Sequence, residues 1–213
     1  MDLRDEVAEA ARTLAGAGLL IGTAGNVSAR DGDRVAVTAT GVVLGDCTAD
    51  SVTLTDLDGN VIEGRLAPTS ELGLHLRVYA ETDAGAVVHT HAPFATACAC
   101  VLDELPVLHY QQLSLGGAIR VAPYATFGTP ELATSVMDAL AGRQAALMAN
   151  HGSVAIGATL ARAVDNALLL EWLAALQHRA SALGEPRVLT ETQQHDVIAQ
   201  AIALDYGSTK ESQ

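Results

Sequence analysis

The chain has 213 residues, of which 49% are hydrophobic and 17% charged, and 12 basic residues against 25 acidic ones give a formal net charge of -13. This apolar content supports a buried core, and the acidic excess excludes binding through clustered Lys and Arg, so we expect neither nucleic acid nor a membrane as a partner. The one lysine, Lys210, lies three residues from the C-terminus, so chemistry that needs a buried amine has no residue to use.

The first half of the chain begins with a helix and continues with short strands. Apolar residues at helical spacing predict a helix over residues 3–17. Three β-rich segments follow, at residues 35–38, 52–55 and 61–63, with a turn at residues 58–60. A second helix is predicted over residues 71–79, with Thr69 or Ser70 as its cap.

The second half alternates strands and helices. Apolar runs predict four strands, at residues 86–90, 119–122, 145–149 and 154–156. Helices are predicted at residues 92–101, 129–142, 160–183 and 190–204. Thr129 and Pro130 mark the start of one of these helices, as cap and first-turn residue. The pattern predicts a single α/β domain over residues 1–213, with helices that cover a sheet.

The cysteines and the N-terminus indicate a reducing compartment. Cys47, Cys98 and Cys100 are odd in number and irregularly spaced, which argues against a disulfide framework. A thiolate metal site at Cys98 and Cys100 is one interpretation, but their place in a run of alanines favours a helix core. The acidic N-terminus has no apolar run typical of a signal peptide, and no segment approaches the length of a membrane span. We therefore expect a cytoplasmic protein.

The histidines carry the clearest chemical signal. His89 and His91 are two residues apart at the end of an apolar strand, a spacing that places both side chains on one side of the strand. Such a pair is a common pattern for zinc ligands and is equally compatible with packed or surface histidines. His151 lies in the turn Asn150-His151-Gly152 between two predicted strands. The three together fit an open catalytic zinc site with three protein ligands.

Glu71 and three small-residue loops complete the candidate site. A first-turn glutamate ordinarily complements the helix dipole, and its functional interpretation is a general base beside the metal. Segments of glycine, threonine, asparagine and serine can bind an anion through amides and hydroxyls without any basic residue, although these residues are also common in turns. The loops are residues 22–28, residues 38–41 and residues 69–70.

Taken in order, the motifs resemble those of one family. The matching segments are Gly22-Thr-Ala-Gly-Asn-Val-Ser28, Thr40-Gly41-Val42, Pro68-Thr-Ser-Glu71, Val88-His89-Thr-His91, His109-Tyr110, Ala122-Pro-Tyr-Ala-Thr-Phe-Gly-Thr129 and Asn150-His151-Gly152. They span nearly the whole chain. In this order they resemble the class II aldolase family of the L-fuculose-1-phosphate aldolase type.

The resemblance implies a three-layer α/β/α fold with a mostly antiparallel central sheet, and a homotetramer with the active site at a subunit interface. It implies Zn²⁺ bound by His89, His91 and His151, with Glu71 as the fourth ligand or as the acid/base. It also implies a phosphate pocket formed by Asn26, Thr40, Gly41, Thr69 and Ser70. Tyr110 would be the tyrosine that contacts the aldehyde side of the substrate from a neighbouring subunit. Tyr206 would belong to a mobile tail that begins at about residue 205, and Phe127 would be an aromatic residue of the pocket.

The activity implied is cleavage of a ketose 1-phosphate, similar to fuculose 1-phosphate, to dihydroxyacetone phosphate and an aldehyde through a metal-stabilised enediolate. Decarboxylation, epimerisation or dehydration of a sugar or sugar-acid phosphate on the same scaffold remains an alternative. Thr38 stands where related epimerases have a lysine, and related dehydratases have an acid near Gln111 or Gln112, which are both amides here; these differences argue against those two reactions. The non-enzyme alternative is an interaction module similar to the adducin head, which does not require metal ligands.

Overall fold

A computed structural model describes residues 2–206, and within these residues nine strands form one sheet. The strands are β1 Asn26–Asp31, β2 Arg34–Thr38, β3 Val52–Asp56, β4 Val61–Glu63, β5 Ala86–Thr90, β6 Glu104–Leu105, β7 Ile119–Ala122, β8 Ala145–Met148 and β9 Gly152–Gly157. Their order is β4-β3-β2-β1-β5-β9-β8-β7-β6. Among these strands β7 and β8 pair in parallel, and the other neighbours pair antiparallel.

Helices cover both faces of the sheet. They are α1 Leu3–Gly16, α2 Leu72–Glu81, α3 Pro93–Ala99, α4 Pro130–Leu140, α5 Leu160–Leu183 and α6 Glu191–Leu204. α1, α3 and α5 pack on one face, and α2 and α4 pack on the other. Val87 and Val88 of β5 point to opposite faces and belong to different cores, which explains why this central strand is apolar at successive positions. The predicted three-layer fold with a mostly antiparallel sheet is confirmed.

Strand β1 was not predicted from the sequence. The segment of residues 22–28 has the composition of a loop, but Asn26, Val27 and Ser28 open β1 and are buried. Val27 belongs to the apolar core, whereas Asn26 and Ser28 form hydrogen bonds with side chains of α2. Buried polar residues are tolerated when they are hydrogen-bonded, and this pairing is not visible in a composition pattern.

The start of α2 also differs from the prediction. The helix begins at Leu72 with Glu71 as its N-cap residue, and neither Thr69 nor Ser70 caps it. Thr69 Oγ1 instead accepts a hydrogen bond from the Glu71 amide at 3.3 Å. The Glu71 side chain makes no cap hydrogen bond, and its carboxylate lies beside Asn26 and His89. The Thr129 cap of α4 was predicted correctly, since its hydroxyl accepts from the Leu132 amide at 3.3 Å.

Antiparallel pairing brings several strand ends together at one end of the sheet. Asn26 at the start of β1 pairs with His89 near the end of β5, and Thr90 pairs with Ser153 at the start of β9. The turn between β8 and β9 therefore lies beside the end of β5. Loops at such a junction are where polar side chains from distant parts of the chain can meet.

Two further expectations from the sequence concern the C-terminal tail and the absence of a membrane span. Lys210 and most of the predicted tail lie outside the described residues, which end at Tyr206. No helix among the described residues combines the length and the apolar character that crossing a membrane requires.

Candidate metal centre

Three histidines meet at the end of β5. The ring centroids of His89, His91 and His151 are 4.8, 4.9 and 5.0 Å apart, a nearly equilateral triangle. The Nε2 atoms of His89 and His91 are 3.0 Å apart, and one nitrogen from each of the three rings lies within 4.8 Å of the others. Ligand nitrogens of a tetrahedral zinc ion are about 3.3 Å apart, so the spacing suits one divalent cation.

Each ring is held by a different element. His89 lies within β5, is fully buried, and donates its Nδ1 hydrogen to the Ser153 carbonyl at 2.9 Å. This bond fixes the tautomer and leaves the Nε2 lone pair directed at the other two rings. His91 directly follows β5, and the chain beyond it is anchored because the Glu171 carboxylate accepts from the Phe94 and Ala95 amides at 3.0 and 2.8 Å.

His151 is placed by a tight turn between β8 and β9. Asn150 adopts a left-handed conformation with φ of 55°, which asparagine tolerates better than most residues. The His151 amide donates to the Met148 carbonyl at 3.1 Å and closes the turn. Gly152 passes so close to Thr90 that a Cβ atom there would overlap the Thr90 carbonyl oxygen. The Asn-His-Gly sequence is therefore explained by backbone geometry as well as by the ligand it presents.

Glu71 faces the histidines from the start of α2. Its Oε2 lies 3.1 Å from His89 Nε2 and accepts a hydrogen bond from Asn26 Nδ2 at 3.0 Å, and its Oε1 lies 3.6 Å from His151 Nε2. Burial acts to raise the pKa of Glu71, but the contact with the His89 ring, the hydrogen bond from Asn26 and the proximity of His151 outweigh it, so this pKa lies well below its usual range. The carboxylate is therefore ionised at neutral pH.

These residues fit a divalent cation. Glu71 Oε1 is buried and has no hydrogen-bond partner among the described residues, as expected of an atom that a cation would satisfy. Burial, together with the His89 and His151 rings, lowers the pKa of His91 to about 4. Burial also lowers the pKa of His151. Both rings are neutral at neutral pH, the form in which imidazole binds metals.

A cavity of about 500 Å³ opens beside this cluster. Small and hydroxyl-bearing residues form most of its wall, which comprises Thr23, Ala24, Gly25, Asn26, Ala39, Thr40, Gly41, Thr69, Ser70, Glu71, His91, Tyr124, Ala125, Phe127, Asn150 and His151. Two of the loops are joined, because the Thr40 amide donates to the Ala67 carbonyl at 3.0 Å and the Thr69 amide donates to the Thr38 carbonyl at 3.1 Å. No arginine or lysine of the described residues lines the cavity, so an anion there would be bound by amides and hydroxyls.

Cavity size does not mark the site. A larger cleft of about 630 Å³ lies at the opposite end of the sheet, between Ala84, Gln144 and Gly157. None of the histidines lines it. The chemistry of the side chains, and not the volume, identifies the cavity beside His91 and His151 as the candidate site.

The comparisons with known proteins agree with this geometry. A family model described as Class II Aldolase and Adducin N-terminal domain matches residues 5–178. The chain belongs to the class II aldolase family. The family is metal-dependent, and among the described residues of this class II aldolase His89, His91 and His151 form a group that could hold the metal.

The similar proteins are enzymes. This class II aldolase is 40% identical over 198 residues to a 5-methylthioribulose-1-phosphate/5-deoxyribulose-1-phosphate aldolase of Rhodospirillum rubrum, an alignment that covers 92% of this chain and 89% of the relative. It is 41% identical over 171 residues to an L-fuculose phosphate aldolase of Escherichia coli O6:H1, with 79% of each chain covered. A solved L-fuculose 1-phosphate aldolase superimposes with a TM-score of 0.89 at 34% identity, covering 93% of this chain and 95% of that one. The chain is thus a lyase of the sugar-phosphate aldolase family, and the interaction-module alternative is not favoured.

Two predicted site residues of this class II aldolase lie away from the cavity of their own chain. Tyr110 begins a short 3-10 helix and Tyr206 follows α6, and their hydroxyls are 3.1 Å apart. Both side chains are exposed, and neither lines the cavity beside the histidines. Phe127, by contrast, lies at the cavity wall with 65% of its surface exposed.

Sequence reasoning missed two residues near the site. Tyr124 lines the cavity beside Phe127, and its place in the segment that follows β7 was the available signal. His75 has the sequence position of an ordinary packed residue of α2, but it is fully buried with both ring nitrogens hydrogen-bonded. Its position four residues after Glu71, on the same face of α2, was the signal that could have revealed it.

Acid should destabilise the metal-free aldolase through His75. Burial lowers the pKa of His75 to about 3, whereas histidine in an unfolded chain has a pKa near 6.5. Between these values the unfolded state binds more protons, so the free energy of unfolding falls as the pH is lowered from about 6.5 towards 3. At pH 4 the loss due to this residue should be about 3 kcal/mol.

Urea unfolding of metal-free wild type and His75→Gln at pH 7, 5 and 4 measures this effect. Because glutamine does not titrate, the variant should lose less stability on acidification than wild type, whatever its stability at pH 7. Equal losses in the two proteins would show that another group governs the acid response.

Proposed function

We propose that this class II aldolase cleaves a ketose 1-phosphate between its third and fourth carbons and releases dihydroxyacetone phosphate and an aldehyde. The observation that carries the proposal is the position of the Glu71 carboxylate, which lies 3.1 and 3.6 Å from the Nε2 atoms of His89 and His151. It also lies beside uncharged loop residues of the cavity wall, which we call the cradle. A carboxylate beside a cation site can move a proton at carbon, and the cradle can hold the phosphate.

His89, His91 and His151 would hold the cation, which we propose to be zinc, and Glu71 would be the fourth ligand before substrate binds. When bound, this cation would supply Lewis-acid stabilisation of the negative charge that cleavage leaves on the three-carbon fragment. Lys210, the one lysine in the sequence, lies near the C-terminus, so an enamine offers no comparable route.

Glu71 has the geometry of the proton carrier. Asn26 holds its Oε2, while Oε1 has no hydrogen-bond partner among the described residues and is 3.6 Å from His151. A carboxylate held at one oxygen keeps a fixed orientation and leaves the other oxygen for the reacting carbon. We propose that Glu71, ionised in the resting site, takes up a proton from solvent water in the cavity and delivers it to the three-carbon fragment after the carbon–carbon bond breaks.

The phosphate is proposed to lie in the cradle formed by Asn26, Thr40, Gly41, Thr69 and Ser70. These residues line the cavity, and Gly41 adopts φ of 75°, a conformation that glycine permits at low cost. Binding at the non-reacting end of the substrate would orient the reacting carbons against Glu71. The Asn26 side chain already serves Glu71 and His75, so it contributes to this cradle chiefly by fixing the neighbouring loop.

The substrate is proposed to end in an apolar group. The two relatives described above act, by name, on fuculose phosphate and on 5-deoxy- or 5-methylthioribulose 1-phosphate, and all three sugars carry a methyl or methylthio terminus. Tyr124 and Phe127 are exposed by 66% and 65% at the cavity wall, which offers ring surface to such a terminus. The alignment that names the ribulose derivatives covers more of this chain, which favours them over fuculose 1-phosphate.

We further propose that Tyr110 and Tyr206 act in the site of a neighbouring subunit of a homotetramer, where Tyr110 takes the proton from the hydroxyl that becomes the aldehyde while it releases its own phenolic proton to solvent water. Support comes from their exposure and their mutual contact outside the cavity of their own chain. Light scattering on the purified protein tests the assembly, and a monomer of full activity would exclude a shared site.

The reaction is tested with zinc-loaded protein and a matched panel of substrates. We expect dihydroxyacetone phosphate from 5-deoxyribulose 1-phosphate, 5-methylthioribulose 1-phosphate and fuculose 1-phosphate, and a lower kcat/KM for ribulose 1-phosphate, which differs from the first by one hydroxyl. Release of carbon dioxide from a 3-oxo-4-phosphate acid, without any aldehyde from the ketose phosphates, would overturn the aldolase assignment in favour of a decarboxylase.

A further inference from the structure

A chain of buried hydrogen bonds leads from Glu71 into the interface between α2 and β1. Asn26 Nδ2 is 3.0 Å from Glu71 Oε2, and Asn26 Oδ1 is 2.5 Å from His75 Nε2. His75 Nδ1 is 2.6 Å from Ser28 Oγ, which is 2.6 Å from the Tyr79 hydroxyl. All five side chains are buried. The mechanism proposed above uses only the first of these contacts.

The chemistry of the two ends fixes the direction of every bond in this chain. An ionised carboxylate only accepts hydrogen bonds, so the Asn26 amide group faces Glu71 and its carbonyl oxygen faces His75. His75 Nε2 must then carry the hydrogen. Burial lowers the pKa of His75 to about 3, so the ring is neutral and its Nδ1 accepts from Ser28. Ser28 in turn accepts from Tyr79.

We propose that His75 is a positioning residue for Glu71: its Nε2 hydrogen holds the Asn26 side chain with the amide group towards the carboxylate. The inference rests on the proposed role of Glu71 in proton transfer. If the Asn26 side chain were reversed, its carbonyl oxygen would face the Glu71 carboxylate and repel it. His75 prevents this reversal because a reversed Asn26 would place an N–H group against the Nε2 hydrogen.

Two substitutions separate positioning from packing. Glutamine carries its amide nitrogen about as far along the side chain as histidine Nε2, so His75→Gln can still donate to Asn26. Asparagine ends at the depth of Nδ1, so His75→Asn keeps a partner for Ser28 and loses the donor to Asn26. Both variants place a smaller polar side chain at the same buried position, and both lose part of the packing of the ring.

We expect His75→Asn to lower kcat by about 10–100-fold, the range typical of residues that orient a ligand or catalytic group from behind. KM and metal content should remain close to wild type, and His75→Gln should recover most of the lost kcat. Val78→Ala, which removes buried apolar volume one turn further along α2, is the control for general destabilisation and should leave kcat unchanged.

A spectroscopic measurement tests the direction of the bonds without relying on activity. Nitrogen chemical shifts of the protein labelled with ¹⁵N-histidine should show the His75 ring neutral, with hydrogen on Nε2 and none on Nδ1. The His75 signal is assigned by its absence from His75→Gln. A hydrogen on Nδ1 would overturn the proposal, because Nε2 would then have no hydrogen to donate to Asn26.

The kinetic outcomes also decide the matter. Equal losses of kcat in His75→Asn and His75→Gln, or an unchanged kcat in His75→Asn, would overturn the positioning role. If wild-type protein cleaves no ketose 1-phosphate, the proposed reaction fails, whereas the tautomer of His75 still decides whether the bonds run in the direction inferred here.

Discussion

His91→Ala is expected to remove the bound metal and the cleavage activity together. His91 supplies one of three imidazoles whose centroids are 4.8–5.0 Å apart, and its loss takes away one of the four protein ligands proposed for the cation, which weakens binding of the metal. Because even residues behind the ligands change metal affinity or activity by about 10–100-fold, loss of a direct ligand should exceed that range. Metal analysis and the rate of dihydroxyacetone phosphate release measure the two effects.

The same variant should keep its fold. The His91 ring is half-buried and contacts the rings of the other two histidines, and His91 is not one of the apolar residues that form the two cores. The thermal unfolding of the metal-free variant should therefore match that of the metal-free wild type. His195→Ala, at an exposed position of α6, is the matched control and should retain metal and activity. Turnover by metal-free His91→Ala would disprove the metal centre.

Glu71→Gln is expected to separate metal binding from catalysis. Glutamine has nearly the shape of glutamate, and the three histidines remain, so the variant should bind metal. An amide cannot carry the proton, and general acid–base groups typically contribute about 10²–10⁴-fold to the rate, so kcat should fall by that factor. Metal content and kcat measured on one preparation test both parts.

Glu81→Gln is the control for Glu71→Gln. Glu81 ends the same helix and is exposed, where it pairs with Arg77, and exposed pairs of this kind contribute little to stability. This control should be indistinguishable from wild type. An unchanged rate in Glu71→Gln would remove Glu71 from its proposed role, whereas loss of metal in that variant would show that it acts chiefly as a ligand.

Much of the fold and the histidine cluster could be predicted from the sequence. The strand around His89 is apolar because both its faces are covered. His151 lies between Asn150 and Gly152, two residue types that are common in tight turns. These are local patterns, and the structure places both residues together with His91. The roles of the site residues remain predictions that the variants above test.

What could not be predicted depends on contacts between distant parts of the chain. The start of β1 contains polar residues that are typical of a loop. Asn26 and Ser28 can occupy a buried strand because they form hydrogen bonds with α2, and the sequence does not reveal these bonds. The hydrogen bonds of His75 could not be predicted for the same reason, since its partners are 47 and 49 residues away. Tyr110 and Tyr206 are separated by 96 residues and meet through their hydroxyls, a proximity that no spacing rule reveals.

The order of the strands has a consequence for biosynthesis. His89 is already beside Asn26 once β1 and β5 have paired, but His151 reaches them only when β9 adds to β5. Strands so far apart in the sequence pair slowly, because the conformational entropy of the intervening chain is lost before the new contacts stabilise the pair. A nascent polypeptide that has not yet emerged past residue 157 therefore has two imidazoles in place, and the cation centre can be completed only after most of the chain has left the ribosome.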